Sequence, residues 1–382
     1  MKKNFQGRGL VTRIAQIDSG RYSFLTVRGV YQTIEKQCAD SSRATKSGVR
    51  MADDLDLVTG ATGLIGNRLV QRLIDQGRSV RALVRPHNDV TPFRQYGVQL
   101  VTGDLTDSAT VRRAMDGVGR VFHCGALVSD WGPRRPFQRI NVDGTRHVVV
   151  AALAAGVQRL IHLSSAAVYG YPRTSQPIDE YHPQRPRKIP YIETKVAAEQ
   201  LVAQAIRCQG LPAVILRPVM VFGPGCQNYV GQIVGHLRRG SMVMFDGGRH
   251  VAGLAYVDNV VDAICLAGSV PEAVAQTMNV CDDSPITWRQ YIDALADGLG
   301  IPRARFSIPS TLAYAASIPC EMFARWSRLR QRPWLTRMAV LELGQSQVYD
   351  ITLARKVLGY APTFSFEQAI EATIQWVKRD NP

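Results

Sequence analysis

A glycine-rich turn between an apolar strand and a helix is the feature that most constrains the fold of this chain. The strand Leu55–Val58 runs directly into Thr59-Gly60-Ala61-Thr62-Gly63-Leu64-Ile65-Gly66. Gly60 permits the tight turn, Gly63 lets the backbone approach a pyrophosphate, and Gly66 allows close helix–strand packing. A bare structural turn is the alternative, but the strand–turn–helix context favours a dinucleotide site. The predicted cofactor-binding residues of this loop are Gly60, Thr62, Gly63, Leu64, Ile65 and Gly66.

The residues beyond this turn alternate between apolar strands and helices. Further strands are predicted at 79–84, 98–101, 121–124, 160–163 and 213–216, with helices near 108–115, 142–155 and 194–207. Near-continuous β-branched and leucine runs are typical of strands buried on both faces, as in parallel sheets. The pattern predicts an α/β fold, a doubly wound parallel sheet of the Rossmann type, over residues 51–225. Residues 226–382 should form mainly a smaller, partly helical substrate-binding region, with some segments returning to the core.

The charge and the cysteines narrow the class of protein further. The net charge is +15, but residues 1–50 carry 10 Lys/Arg against 3 Asp/Glu, so the rest is only mildly basic. No nucleic-acid partner is therefore predicted. Seven scattered cysteines without a Cys-x-x-Cys pair indicate reduced thiols in the cytoplasm and no metal site.

The first 50 residues form a basic N-terminal extension that differs from everything after it. It lacks the apolar stretch of a secretory signal peptide. We expect a disordered, dispensable or mis-assigned extension before Met51, and a basic docking arm is the alternative.

The residue about 20 positions after the glycines indicates whether NAD or NADP is bound. Arg85 stands 19 positions after Gly66, and no acidic residue occurs nearby until Asp89. A guanidinium pairs bidentately with a 2′-phosphate, so NADP is predicted; NAD stays open, because surface arginines are common. After the third strand, Asp104 is expected to accept a hydrogen bond from the adenine amino group, with Leu105 beside it.

Four residues predict the chemistry. Ser165 follows a buried strand, Tyr191 and Lys195 lie four apart on one helical face, and Asn141 precedes them in the chain. Moving a hydride between nicotinamide and a carbon that bears oxygen requires a partner for the hydroxyl proton. A free phenol has a pKa of about 10. The ammonium of Lys195 and the oxidised nicotinamide are both expected to favour the phenolate and lower the pKa of Tyr191.

This combination resembles the extended short-chain dehydrogenase/reductase superfamily, in its epimerase/dehydratase branch, over about residues 55–380. The resemblance implies that Tyr191 is the general acid/base, Lys195 its pKa partner and ribose anchor, and Ser165 the donor to the substrate oxygen. It implies that Asn141 supports a water-linked proton path. Family members often dimerise through the helix that carries the tyrosine. Ala126, Pro218 and Val221 match segments beside the nicotinamide.

Two departures from the sugar-nucleotide enzymes of this superfamily bear on the substrate. Ala166 and Ala167 stand where sugar-nucleotide dehydratases have an acidic pair, and Arg85 argues against an NAD-retaining epimerase. The segments 335–337, 349–351 and 354–362 resemble the 3β-hydroxysteroid dehydrogenase-like group. Residues 308–336 contain large apolar side chains at helical spacing, with several arginines among them. This pattern fits a lid over an apolar pocket, a helix on a membrane interface or ordinary core.

Together these features predict an NAD(P)-dependent oxidoreductase that interconverts a ketone and a secondary alcohol. The substrate is expected to be apolar or cyclic, sterol-like or 3-oxo acid-like. Peripheral membrane contact and a homodimer are the expected associations. A sugar-nucleotide epimerase or reductase is the rival enzyme, and a non-catalytic NADP-sensing regulatory protein is the alternative of another class.

Overall fold

The structure is a computed structural model that describes residues 55–327 and 331–380. The basic extension predicted over residues 1–50 lies outside the described residues, as do Arg328 and Arg330.

A seven-stranded sheet in which every neighbouring pair is parallel forms the centre of the fold. Its order is β10-β6-β5-β4-β1-β2-β3, so the order in which strands are added to the sheet reverses between β1 and β4. In such sheets, ligands bind at the carboxyl ends of the strands where this reversal occurs. The strands are β1 (Leu55–Thr59), β2 (Ser79–Val84), β3 (Gln99–Thr102), β4 (Arg120–His123), β5 (Arg159–Leu163), β6 (Ala213–Pro218) and β10 (Thr277–Val280). The predicted doubly wound parallel sheet is confirmed.

Consecutive residues of each strand contribute to two separate cores. Leu57 belongs to the cluster that contains residues of helices α3, α5 and α6, whereas Val58 belongs to the cluster that contains residues of α1 and α8. Alternate side chains of a strand point to opposite faces, so helices cover both faces of the sheet. These helices are α1 (Leu64–Asp75), α2 (Thr91–Gln95), α3 (Ser108–Met115), α4 (Arg134–Phe137), α5 (Gly144–Ala155), α6 (Pro190–Gln209) and α8 (Val257–Ser269).

The C-terminal part builds a smaller, mainly helical region with its own aromatic core around Phe222, Trp288 and Tyr291. Two two-stranded sheets join it, β7 (Met220–Phe222) with β9 (Leu254–Tyr256) and β8 (Val243–Phe245) with β11 (Phe306–Ile308). Its helices are α7 (Gln232–Arg238), α9 (Trp288–Leu299), α10 (Ser310–Trp326), α11 (Arg337–Leu343) and α13 (Phe366–Asp380), while α12 (Thr352–Leu358) packs near β10. Both β10 and α8 come from this half of the sequence and complete the central sheet layer.

The helical stripe predicted at 308–336 forms α10, but its large side chains are not core. Ile318, Met322 and Trp326 are exposed, so packing as ordinary core is wrong for this segment. Among the described residues, no helix combines the length and hydropathy required to cross a bilayer.

Candidate active site

The glycine loop has the backbone shape that a pyrophosphate requires. Gly60 adopts φ +67°, and a Cβ there would lie 2.6 Å from the Cα of Gly125, which follows β4. Gly63 precedes α1 without a side-chain cap, and the first turn of this helix contains no acidic residue. The helix N-terminus therefore retains its affinity for anions, and the loop residues fit a dinucleotide.

Arg85 directly follows β2 and is exposed beside this loop. The segment after it lies against the loop, because the Asn88 amide donates to the Thr62 hydroxyl. Arg81, on the same strand, is turned away and donates to the carbonyls of Ala114 and Asp116, at 3.0 and 2.5 Å. Of these two arginines, Arg85 is thus the one at the carboxyl end of β2, on the side of the glycine loop.

The other predicted cofactor residues stand at the carboxyl ends of their strands. Asp104 accepts from the Thr106 backbone N–H at 2.8 Å, so part of its carboxylate is already used to shape the turn. Leu105 packs on Gly125, where a Cβ would lie 2.6 Å from its Cδ1. Ala126, Pro218 and Val221 lie just after β4, at the end of β6 and in β7.

Ser165 and Tyr191 are brought together by the end of β5 and the start of α6. Ser165 lies at the Tyr191 phenol, and Tyr191 is almost fully buried. Lys195, one turn further along α6, donates from Nζ to the Leu163 carbonyl at 2.6 Å. Ser164 faces elsewhere, since its hydroxyl donates to Glu199 at 2.5 Å. The geometry therefore separates the two serines, and Ser165 is the one at the tyrosine.

Burial governs the protonation of Tyr191 and Lys195. Burial raises the pKa of Tyr191 to about 12, with the Ser165 hydrogen bond opposing that shift. Within the protein alone the pKa of Tyr191 is thus raised, because a phenolate is unfavourable in a desolvated position. The lowering by Lys195 together with a bound oxidised nicotinamide stays a prediction. Burial also lowers the pKa of Lys195 to about 8, against the charge of Glu199. At neutral pH the site holds a neutral phenol, which can donate a proton, and an ammonium.

Asn141 lies in a π-helical turn, Gln138–Asp143, that leads into α5. Its Oδ1 accepts from the Leu127 N–H at 2.7 Å, and its Nδ2 donates to the Leu127 carbonyl and to the Thr194 hydroxyl, both at 3.1 Å. π-Helical turns occur frequently at functional sites. Here the amide ties the loop after β4 to the helix that carries Tyr191. The proposed water path through Asn141 stays a prediction.

A buried ion pair behind Lys195 was missed by sequence reasoning. Arg217 of β6 binds Glu199 of α6 through two of its three guanidinium nitrogens. The distances are 2.5 Å for Nη2–Oε1 and 3.0 Å for Nε–Oε2. Arg217 also donates to the Tyr169 hydroxyl at 2.7 Å. An arginine inside the apolar run of a central strand is the signal that could have found it, because a buried charge requires a partner.

Glu342 of α11 is a second residue that sequence reasoning missed. Its Oε1 accepts from the Tyr171 hydroxyl at 3.0 Å, and burial raises the pKa of its carboxyl to about 7. Its charge raises the pKa values of Tyr191 and Tyr229, so the carboxyl acts electrostatically on the candidate general acid. No sequence signal identifies it, because it is 151 positions from Tyr191 in the chain.

The sequence matches the model of the NAD dependent epimerase/dehydratase family over residues 57–281. A 4-hydroxy-2-methyl-3-oxo-4-farnesyl-3,4-dihydroquinoline-1-oxide ketoreductase of Stigmatella aurantiaca is 32% identical, covering 83% of this chain and 95% of that protein. A 2-alkyl-3-oxoalkanoate reductase of Stenotrophomonas maltophilia is also 32% identical, covering 82% and 96%. A 3 beta-hydroxysteroid dehydrogenase/Delta 5-->4-isomerase of Mycobacterium tuberculosis is 30% identical, covering 82% and 88%.

Solved structures agree on the fold. The crystal structure of gox2253 superposes with a TM-score of 0.72 at 28% identity, covering 86% of this chain and 99% of that one. MoeE5 in complex with UDP-glucose and NAD superposes with a TM-score of 0.67 at 25% identity, covering 85% and 98%.

Fold and site define a Rossmann-type oxidoreductase of the short-chain dehydrogenase/reductase kind, as the motifs predicted. The chain belongs to the NAD dependent epimerase/dehydratase family.

The buried ion pair generates a stability prediction. Glu199→Gln should lower the free energy of unfolding by about 3–5 kcal/mol, because it leaves Arg217 buried without its countercharge. The control is Asp297→Asn, which breaks the exposed pair with Arg303 and should leave that free energy nearly unchanged, because solvent screens the pair. Urea unfolding of both variants measures the two effects, and equal losses would contradict a buried pair.

Glu342 generates a pH prediction. Its folded pKa of about 7 lies above the ordinary 4.5, so between these values the folded state binds more protons than the unfolded state. The free energy of unfolding should therefore fall as pH rises through this window and level off above it. Glu342→Gln should remove this contribution to the slope. The exposed Glu371→Gln should leave the slope as in the wild type, and denaturant titrations at several pH values compare the three proteins.

Proposed function

We propose that this protein is an NADP-preferring oxidoreductase that interconverts a ketone and a secondary alcohol on a largely apolar or cyclic substrate. The observation that carries this proposal is a buried, neutral Tyr191 at the carboxyl end of β5, with Ser165 at its phenol and Lys195 one turn further along the same helix. A neutral phenol is the acid that reduction of a ketone requires. The substrate oxygen would receive its proton from Tyr191 and a hydrogen bond from Ser165.

The bound nicotinamide supplies the hydride in this proposal. The proton that leaves Tyr191 turns the phenol into a buried phenolate, whose formation is unfavourable in a desolvated site. Lys195, one helical turn away and mostly protonated at neutral pH, stabilises that phenolate by its charge. It would also hold the ribose hydroxyls. In the oxidative direction the same groups take the proton from the alcohol.

Two features support an apolar substrate over a sugar nucleotide. Ala166 and Ala167 are buried where a dehydratase needs acids. The relatives named above include a farnesylated quinoline ketoreductase, a 2-alkyl-3-oxoalkanoate reductase and a hydroxysteroid dehydrogenase. MoeE5, with UDP-glucose and NAD, keeps a sugar-nucleotide enzyme as the second candidate.

The proposal extends to the associations of the enzyme. We propose a cytoplasmic protein with a peripheral membrane contact, on the basis of scattered cysteines that are free throughout the described residues. We also propose a homodimer through α6, because members of the superfamily often dimerise through the helix that carries the tyrosine. No nucleic-acid role is proposed.

Tyr191→Phe should lower kcat for ketone reduction by at least about 100-fold, since it removes the proton donor. Loss of reduced-nicotinamide absorbance measures turnover on panels of 3-oxo steroids and 3-oxo acids, set against UDP- and dTDP-sugars. The exposed Tyr181→Phe is the matched control and should turn over as the wild type does. Turnover with the sugars alone would establish the rival enzyme, and turnover unaffected by Tyr191→Phe would favour the non-catalytic protein.

Arg85→Asp should lower kcat/KM for NADPH by at least about tenfold, because the variant loses a charge-assisted bond to the 2′-phosphate. Its kcat/KM for NADH should fall less or rise. Arg112→Asp, an exposed change on α3, controls for net charge. Equal kcat/KM values for the two cofactors in the wild type would contradict the preference.

A further inference from the structure

Helix α10 carries its large apolar side chains on the side that faces away from the protein. Met322, Phe323 and Trp326 are 66%, 61% and 82% exposed, and Leu312 and Ile318 extend the same face. The side packed on the protein is built from small and polar residues instead, namely Ser310, Ala313, Ser317, Glu321 and Ala324. Helices on the surface of a protein in water normally have the reverse arrangement. A contiguous exposed apolar face of this kind marks a contact surface.

The chain around this helix is strongly basic. Residues 301–340 contain seven arginines and one carboxylate, a net charge of +6, of which Arg303 and Arg332 are paired with Asp297 and Asp130 outside the segment, each at 2.5 Å. That carboxylate belongs to Glu321, which is buried and paired with Arg337 at 2.9 Å. The side chain of Arg325 is 56% exposed, and Trp334 after the helix is 62% exposed. Basic residues around an apolar face with aromatic side chains are the pattern of a helix that binds an anionic lipid interface.

We propose that the outward face of α10, formed by Leu312, Ile318, Met322, Phe323 and Trp326, docks on an anionic lipid bilayer. Its rings would enter the boundary between headgroups and acyl chains, where aromatic side chains are favoured. A second copy of this chain is the poorer occupant, because pairing two such faces brings two strongly basic surfaces together.

Helix α10 also lines a small cleft, through Glu321 and Arg325 and not through the docking face itself. The cleft walls include Trp131, Pro190, Glu321, Arg325 and Arg337. Pro190 immediately precedes Tyr191, and the Arg325 guanidinium lies 5.7 Å from the centre of the Trp131 ring. Docking would therefore place this cleft next to the bilayer, where an apolar ketone dissolves. This consequence, unlike the docking itself, rests on the proposed function.

Flotation of the full-length protein with vesicles tests the docking. The protein should float with vesicles of equal parts phosphatidylcholine and phosphatidylglycerol, should stay behind with phosphatidylcholine alone, and should be released by salt. Tryptophan emission should shift to shorter wavelength on binding, and Trp326→Phe should remove most of that shift. Absence of flotation with the phosphatidylglycerol vesicles would overturn the proposal.

A triple variant, Met322→Ser with Phe323→Ser and Trp326→Ser, separates this face from general charge attraction. Its bound fraction should fall at least about tenfold, because three apolar side chains no longer enter the interface. Tyr181→Ser, at a site 90% exposed elsewhere, is the matched control and should float as the wild type does. Melting temperatures verify that both fold. A triple variant that floats like the wild type, or one that only dissociates a dimer in solution, would overturn the proposal.

Turnover provides an independent readout. The triple variant should reduce a soluble ketone at the wild-type rate but a vesicle-dissolved ketone at least about tenfold more slowly. Failure of the wild type to reduce any ketone would contradict the proposed function while leaving the flotation result intact.

Discussion

The ion pair between Glu199 and Arg217 fixes the helix that carries the candidate acid to the sheet. Both partners are buried, and leaving either one alone in that environment is strongly unfavourable. The carboxylate is therefore held by several donors, since Ser164 at 2.5 Å and Gln184 at 2.5 Å add to the guanidinium. These bonds link α6 to β5, β6 and the loop before the helix. Tyr191 and Lys195 take their positions from this attachment.

The site depends on burial acting in opposite directions on two neighbouring groups. Burial favours the neutral form of any ionisable side chain, so it raises the pKa of Tyr191 and lowers that of Lys195. Glu199 limits the second effect, because its charge lies one turn beyond Lys195 on the same helix. The same carboxylate thus anchors α6 and keeps the lysine mostly charged at neutral pH. Glu199 therefore serves both the attachment of the helix and the charge state of Lys195.

The sequence is informative where a local pattern determines the structure. The glycine loop, the parallel strands and the spacing of Tyr191 and Lys195 follow from neighbouring residues, and the fold agrees with them. The helix predicted from 194 begins earlier, at Pro190, because proline suits the first turn of a helix. The pKa of Tyr191 was not predictable, since it depends on burial by distant segments. Glu342 was not predictable either, because only the folded chain places it near the tyrosine.

The outward face of α10 connects to the candidate site through one carboxylate. Glu321 lies on the packed side of α10 and accepts from the backbone N–H and the side chain of Arg337, at 2.8 and 2.9 Å. Arg337 begins α11, the short helix that also carries Glu342 near Tyr191. Because Glu321 is the one acid in a basic segment, it holds α10 by its polar side and leaves the apolar side outward. The contact between Glu321 and Arg337 therefore joins the helix that carries the docking face to the helix whose carboxyl acts on the pKa of Tyr191.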